Sequence, residues 1–193
     1  MTAAVDTAVA AWVGATPITV EQVERRLTAL REGPLATRLP PEGTPQGRNL
    51  RRWLVQVLTT EELVAQQAAV RGVESEPCDG KPGTVTLAAA LRTGGVAAAV
   101  LAASPLARAL RRSVVADVEV PEDTIRGYYE RNRDRHVGTF EQEEPAIRLH
   151  LLDVARERAF SQWIDRTHAQ LVKLEHGFEH PADPHQPDAD HHH

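Results

Sequence analysis

Residues 9–31, VAAWVGATPITVEQVERRLTALR, carry two different patterns on either side of one glycine. Val9 to Val13 is a short apolar run containing Trp12 and closed by Gly14. It reads as a strand, because a helix signal starts directly behind it and leaves no room for a longer element. Thr19 followed by Gln22 has the spacing of a capping box, in which each side chain satisfies a backbone N–H of the other's end. Val20, Val23, Leu27 and Leu30 then recur at helical intervals until Gly33-Pro34 stops them. The order is strand, turn, helix.

Working outward, Gly33 to Gly47 holds Pro34, Pro40, Pro41 and Pro45 and reads as a loop. Leu50, Trp53, Leu54, Val57, Leu58, Val64 and Ala68 predict a long helix over Arg48 to Arg71, and Gly72 followed by apolar Val73 fits a glycine C-cap. Glu74 to Gly83 reads as a second loop. Thr84 to Arg92 and Val96 to Ala103 read as two short alanine-rich helices parted by Gly94-Gly95, and Ser104-Pro105 offers an N-cap and first-turn proline for a helix to about Val115. Pro121-Glu122-Asp123 suits the start of a helix carrying Ile125, Tyr128 and Tyr129. Pro145 is expected to open the last helix, roughly six turns long, with Ile147, Leu151, Val154, Phe160, Trp163, Ile164 and Thr167 along it.

Gln170 to Leu174 alternates and reads as a closing strand. Two lone strands at opposite ends of a helical chain satisfy their backbone groups most cheaply by pairing with each other. The expected fold is therefore mainly α, closed by a two-stranded pairing of Val9–Val13 with Gln170–Leu174. Residues 1–8 are expected to be a flexible start and 9–174 one domain. Beyond Glu175, three prolines and six histidines without apolar periodicity predict a disordered tail over 175–193.

The chain has 193 residues, 41% hydrophobic and 25% charged, which excludes a disordered or fibrous chain. No apolar run approaches the roughly 20 residues of a spanning helix, so no membrane partner is expected. The N-terminus has no Lys or Arg before Arg25, unlike a secretory signal, which predicts a cytoplasmic protein. Cys78 is the only cysteine, so no disulfide forms within one chain. The net charge of −5 sits in the last residues: Glu175, Glu179, Asp183, Asp188 and Asp190 face no base there, and the remainder holds as many acids as bases. A neutral body gives no general attraction for phosphate backbones, so no nucleic-acid partner is expected, although Arg48, Arg51 and Arg52, or Arg108, Arg111 and Arg112, offer local patches.

Four segments in this order, AWVGATPITVEQVERRLTAL, LRRWLVQVLTTEELVAQQAAVRGV, VEVPEDTIRGYYERN and IRLHLLDVARERAFSQWIDRTHAQLVKL, resemble the chaperone domain of the SurA and PrsA type of parvulin-containing foldases. They cover most of residues 9–174. In the full foldases a parvulin isomerase domain lies between the paired-tyrosine helix and the return helix. Here only Arg133 to Glu144 separates them. The resemblance implies a non-catalytic peptide- or protein-binding module whose partner is an unfolded or partner polypeptide, and no isomerase activity.

The residues themselves offer two kinds of chemistry. Trp53 and Leu54 on the long helix, with Tyr128 and Tyr129, are the candidate contacts for a polypeptide. Adjacent helical residues diverge by about 100°, so one tyrosine is expected in the core and the other available. His176, His180, His185, His191 and His193, among tail carboxylates, suit a divalent ion such as zinc, nickel or cobalt. They predict the alternative function, a metal-handling protein or metallochaperone for a partner enzyme. No cofactor is required by either reading. No glycine-rich phosphate loop, nucleophile elbow or HExxH motif is present, and Cys78 has no evident activating base. His136, His150 and His168 are expected at the surface or core edge.

Overall fold

In a computed structural model, residues 8–34, 36–75 and 95–179 are described. The helix expected over Thr84 to Arg92, the loop around Cys78 and all of 180–193 lie outside them. The described chain is mainly helical with one small sheet. Its elements are β1 (Val9–Val13), β2 (Thr16–Thr19), α1 (Val20–Arg31), α2 (Pro45–Arg71), α3 (Val96–Ala103), α4 (Pro105–Val114), α5 (Glu122–Arg131), α6 (Phe140–Leu171) and β3 (Val172–Leu174), with short 3-10 turns at Ala36–Arg38 and Arg133–Arg135. The chain divides into two compact units: the residues up to Leu110 together with those from Thr167 onward, and Arg111–Arg166.

The first unit is organised by the opening motif. The sheet is antiparallel in the order β2-β1-β3, with Ala11 opposite Leu174, Trp12 opposite Lys173 and Val13 opposite Val172 on one side. The terminal strands pair as expected, over a closing strand shorter than Gln170–Leu174, since α6 continues to Leu171. The expected two-stranded pairing has a third member. Thr16-Pro17-Ile18-Thr19 is β2, joined to β1 by a two-residue turn in which Gly14 takes φ +57, the position where tight hairpin turns call for glycine. Pro17 cannot donate to a ladder, so the segment reads as turn in sequence, yet a proline is tolerated on an edge strand. The ladder slips between Val9 and Ala11. Ala10 instead uses its carbonyl to accept the Glu175 N–H at 3.0 Å on the other side.

Thr19 both ends β2 and caps α1. Its hydroxyl accepts the Gln22 N–H at 3.2 Å, and the Gln22 side chain accepts the Thr19 N–H at 2.7 Å. Val23 and Leu27 are the buried residues of α1. Helix α2 starts three residues earlier than expected, because Thr44 caps it and Pro45 needs no N–H partner in the first turn. At its far end Gly72 has φ +64 and Val73 N–H reaches Ala68 O at 2.9 Å, which closes the expected glycine C-cap. Helix α2 packs against α1, α3, β1 and β2. Along it Leu54, Val55, Leu63 and Val64 are buried together with Arg52, Gln56, Thr59 and Thr60. The two threonine hydroxyls both donate to Gln56 O, and Gln66 donates to Val13 O and Thr16 Oγ1.

The second unit is built on α5 and α6. Pro121 precedes α5, and Glu122 and Asp123 occupy its first turn, where the helix dipole favours acids. Ile125, Tyr129, Phe140 and Ile147 form a buried cluster, with Val120, Tyr128 and Leu151 packed on it. Helix α6 begins at Phe140 and Pro145 lies inside it, a correction to the expected start. The extra turn is secured by Thr139, whose carbonyl accepts the Gln142 and Glu143 N–H groups and whose N–H donates to Gln142 Oε1. Arg148 reaches both Glu144 and Glu122, the latter at 2.5 Å, and joins the starts of the two helices.

Candidate functional site

Helices α1, α2 and α3 enclose an apolar cavity of about 170 Å³ within the first unit. Ala29 and Leu30 contribute from α1, Trp53, Leu54 and Val57 from α2, and Ala103 from α3, with the paired Arg26 and Glu61 completing the wall. A spacing of four residues along α2 puts Trp53, Val57 and Glu61 on one face. Leu54 is only 1% exposed and forms the floor, whereas Trp53 is half-buried. An apolar cavity of about 150 Å³ holds a benzene ring. This one accommodates a single Leu- or Phe-sized side chain. Arg26 engages both carboxylate oxygens of Glu61, so the one charged element of the lining is neutral.

On the neighbouring face of α1 lies a second concavity, a trough of about 420 Å³ lined by Glu24, Arg31, Glu42, Arg48 and Arg51 with Leu27 and two glycines. Arg31 pairs with Glu42, and Arg51 with Glu24. Arg48 donates to Gly43 O at 2.8 Å. The arginine patch expected at 48, 51 and 52 is divided: Arg48 and Arg51 reach the trough, whereas Arg52 is buried and donates to Asn49 Oδ1 and Gly177 O.

Trp53 and Leu54 share a cavity in the first unit, and Tyr128 and Tyr129 share a cluster in the second. Tyr129 is buried and donates to Gly138 O at 2.8 Å. Tyr128 is partly buried, with the rings of His136 at 6.3 Å and His150 at 5.9 Å. His136 has a fixed partner that its sequence position does not announce. Its Nδ1 lies 3.3 Å from Glu143 Oε2, while Glu143 Oε1 accepts the Gly138 N–H.

Of the metal-ligand candidates only His176 is described; His180, His185, His191 and His193 lie outside. His176 Nδ1 is 2.9 Å from Glu179 Oε1, and among the described residues no three His, Cys, Asp or Glu side chains group as a metal site. Glu179 is held below the ordinary carboxylate range, first by the Gly177 N–H and then by its own backbone N–H and by His176. Residues 175–179, expected to belong to a disordered tail, form a turn on the first unit. Glu175 accepts from Trp12 Nε1 at 3.1 Å, Gly177 O accepts from Arg52, and Phe178 lies under the Arg51 guanidinium at 5.9 Å.

Sequence reasoning found Trp53 and Leu54 but not Arg26, Ala29, Leu30, Val57, Glu61 or Ala103. Their signal is spacing on two separate helices, Arg26 with Leu30 and Val57 with Glu61, which becomes a site only once α1 crosses α2. Residues 9–46, which span the sheet hairpin, α1 and the cap of α2, match the model of a family of unknown function, DUF7158. No curated protein and no solved structure matches the chain.

Proposed function

We propose that this protein is a non-catalytic polypeptide-binding module, chaperone-like in holding rather than converting its partner. The observation that carries this reading is the α1–α2–α3 cavity, whose volume and apolar lining suit one side chain of an extended or unfolded segment. Burying a Phe or Leu side chain contributes about 1.5–3 kcal/mol, enough for weak, broad recognition of exposed apolar residues. The resemblance of residues 9–174 to the SurA and PrsA chaperone domain supports the same reading.

The test is fluorescence anisotropy with a labelled Gly/Ser peptide carrying one Phe, measured on the full chain. Ala29 is exposed on the cavity's rim, so Ala29→Phe fills the space from a position where the fold tolerates bulk. Binding that depends on the peptide's Phe and is lost in A29F, with the circular dichroism melt unchanged, is the expected result. Equal binding by wild type and A29F contradicts the proposal.

A further inference from the structure

The charged wall of the α1–α2–α3 cavity has hydrogen-bond donors that its ion pair does not use. The side chains of Arg26 and Glu61 are 41% and 34% exposed, whereas Leu54 on the floor is buried, so the pair stands at the mouth. Both bonds to the Glu61 carboxylate come from a single nitrogen of Arg26, Nη2. A guanidinium presents its N–H groups along a planar fork, and the described residues give the Nε–H and Nη1–H groups of this one no acceptor. Neither nitrogen is among the buried donors left without a partner, as the Nε atoms of Arg31 and Arg51 are. That edge of Arg26 is therefore open to solvent. Because Glu61 balances the charge, the open edge adds donors to the mouth without adding net charge, and the acceptor that suits it is a neutral carbonyl.

A side chain inserted into the cavity leaves its own main chain at the mouth, and a main-chain carbonyl lies on either side of its Cα whatever the sequence. In a helix those carbonyls are already spent on N–H groups one turn further on. In an extended or unfolded segment they are free. We infer that Arg26 is a specificity-determining residue that donates to a main-chain carbonyl beside the inserted apolar side chain, so that the module takes apolar residues from extended segments and passes over the same residues in helices. This rests on the polypeptide-binding reading and adds the conformation of the segment to it.

The test compares the labelled Phe peptide with two analogues, in which the amide before or after Phe is replaced by an (E)-alkene that keeps the extended geometry and removes the carbonyl, all on the full chain. One analogue is expected to bind about tenfold more weakly than the parent, the worth of one hydrogen bond to a charged group. In Arg26→Met, which has no donor, parent and analogue are expected to bind alike. If R26M fails to fold, Arg26→Met with Glu61→Leu leaves no unpaired charge and is expected to give the same result. A merely structural role for Arg26 would weaken every peptide together and leave their ratio unchanged. The same Phe placed in an alanine-rich helical peptide is expected to bind no better than the weaker analogue. Equal binding of parent and both analogues by the wild type overturns the inference, as does a ratio that survives in both variants or a helical peptide that binds as tightly as the parent. The two readings separate cleanly: loss on Phe→Gly without discrimination against either alkene keeps the cavity and removes the role of Arg26, whereas a wild type indifferent to Phe removes both.

Discussion

The two units differ in how far along the chain their fixing contacts reach. In the first, Trp12 meets Glu175 across 163 positions and Arg52 meets Gly177 across 125. In the second, Tyr129 meets Gly138 across nine and His136 meets Glu143 across seven. The first unit also has crossing helices with concave seams between them, and both concavities described above lie there. The second unit closes locally around a small aromatic cluster that fills its own interior. A contact between residues close in sequence has little loop entropy to overcome, so the second unit's integrity is local, while the first depends on both ends of the described chain being in place.

The largest expected effect strikes the core of the first unit. Leu63 is fully buried on α2, and Leu63→Ala is expected to cost about 3 kcal/mol by transfer and cavity terms, read from urea unfolding. A loss under about 1 kcal/mol would mean that α2 is not the unit's central element. Arg52→Met keeps much of the apolar stem but removes the donors to Gly177 O and Asn49, for about 1–2 kcal/mol. Amide exchange should rise at Glu175 to Glu179, and the comparison weakens if it rises equally at residues 132–139.

Tyr129→Phe is the local counterpart. Losing its hydroxyl leaves Gly138 O with Arg133 as its remaining donor, at about 1 kcal/mol. Faster exchange should be confined to the α5–α6 connection. The smallest effect is electrostatic. The Gly177 N–H holds the Glu179 carboxyl below its usual value of 4.5. A lowered carboxyl contributes stability that is fully present above the unfolded value and lost as pH falls through the folded one. The Gly177 amide resonance should therefore titrate with a midpoint below 4.5, and a midpoint at or above it would remove this tie from the C-terminal turn.

What the sequence disclosed follows the same division by range. The capping box at Thr19, the Gly72-Val73 cap and the Ser104 cap, whose hydroxyl accepts the Ala107 N–H at 3.2 Å, are written in neighbouring residues, and each stands where the spacing places it. The pairing of β1 with β3 was legible too, because two strands without local partners need each other. Strand β2 escaped notice because Pro17 masks it and Ile18 is its single buried residue. The start of α6 escaped because Pro145 mimics a first-turn proline while Thr139 supplies the actual anchoring turn. The candidate site was half legible. Trp53 and Leu54 stand out by size on a periodic helix, but their partners on α1 and α3 are ordinary residues whose meaning comes from the crossing of helices. Gly177 and Arg52 share no signal at all in sequence.

On the proposed function, a polypeptide is held by the first unit in its α1–α2–α3 cavity. The most direct measurement is two-dimensional amide NMR of the full chain titrated with the Phe-bearing peptide. Shifts should concentrate at Leu30, Val57, Ala103 and the Trp53 indole N–H, with residues 122–151 unmoved. Shifts concentrated at Tyr128, Tyr129 and His150 instead, with the Trp53 indole unchanged, would place binding on the second unit and contradict it.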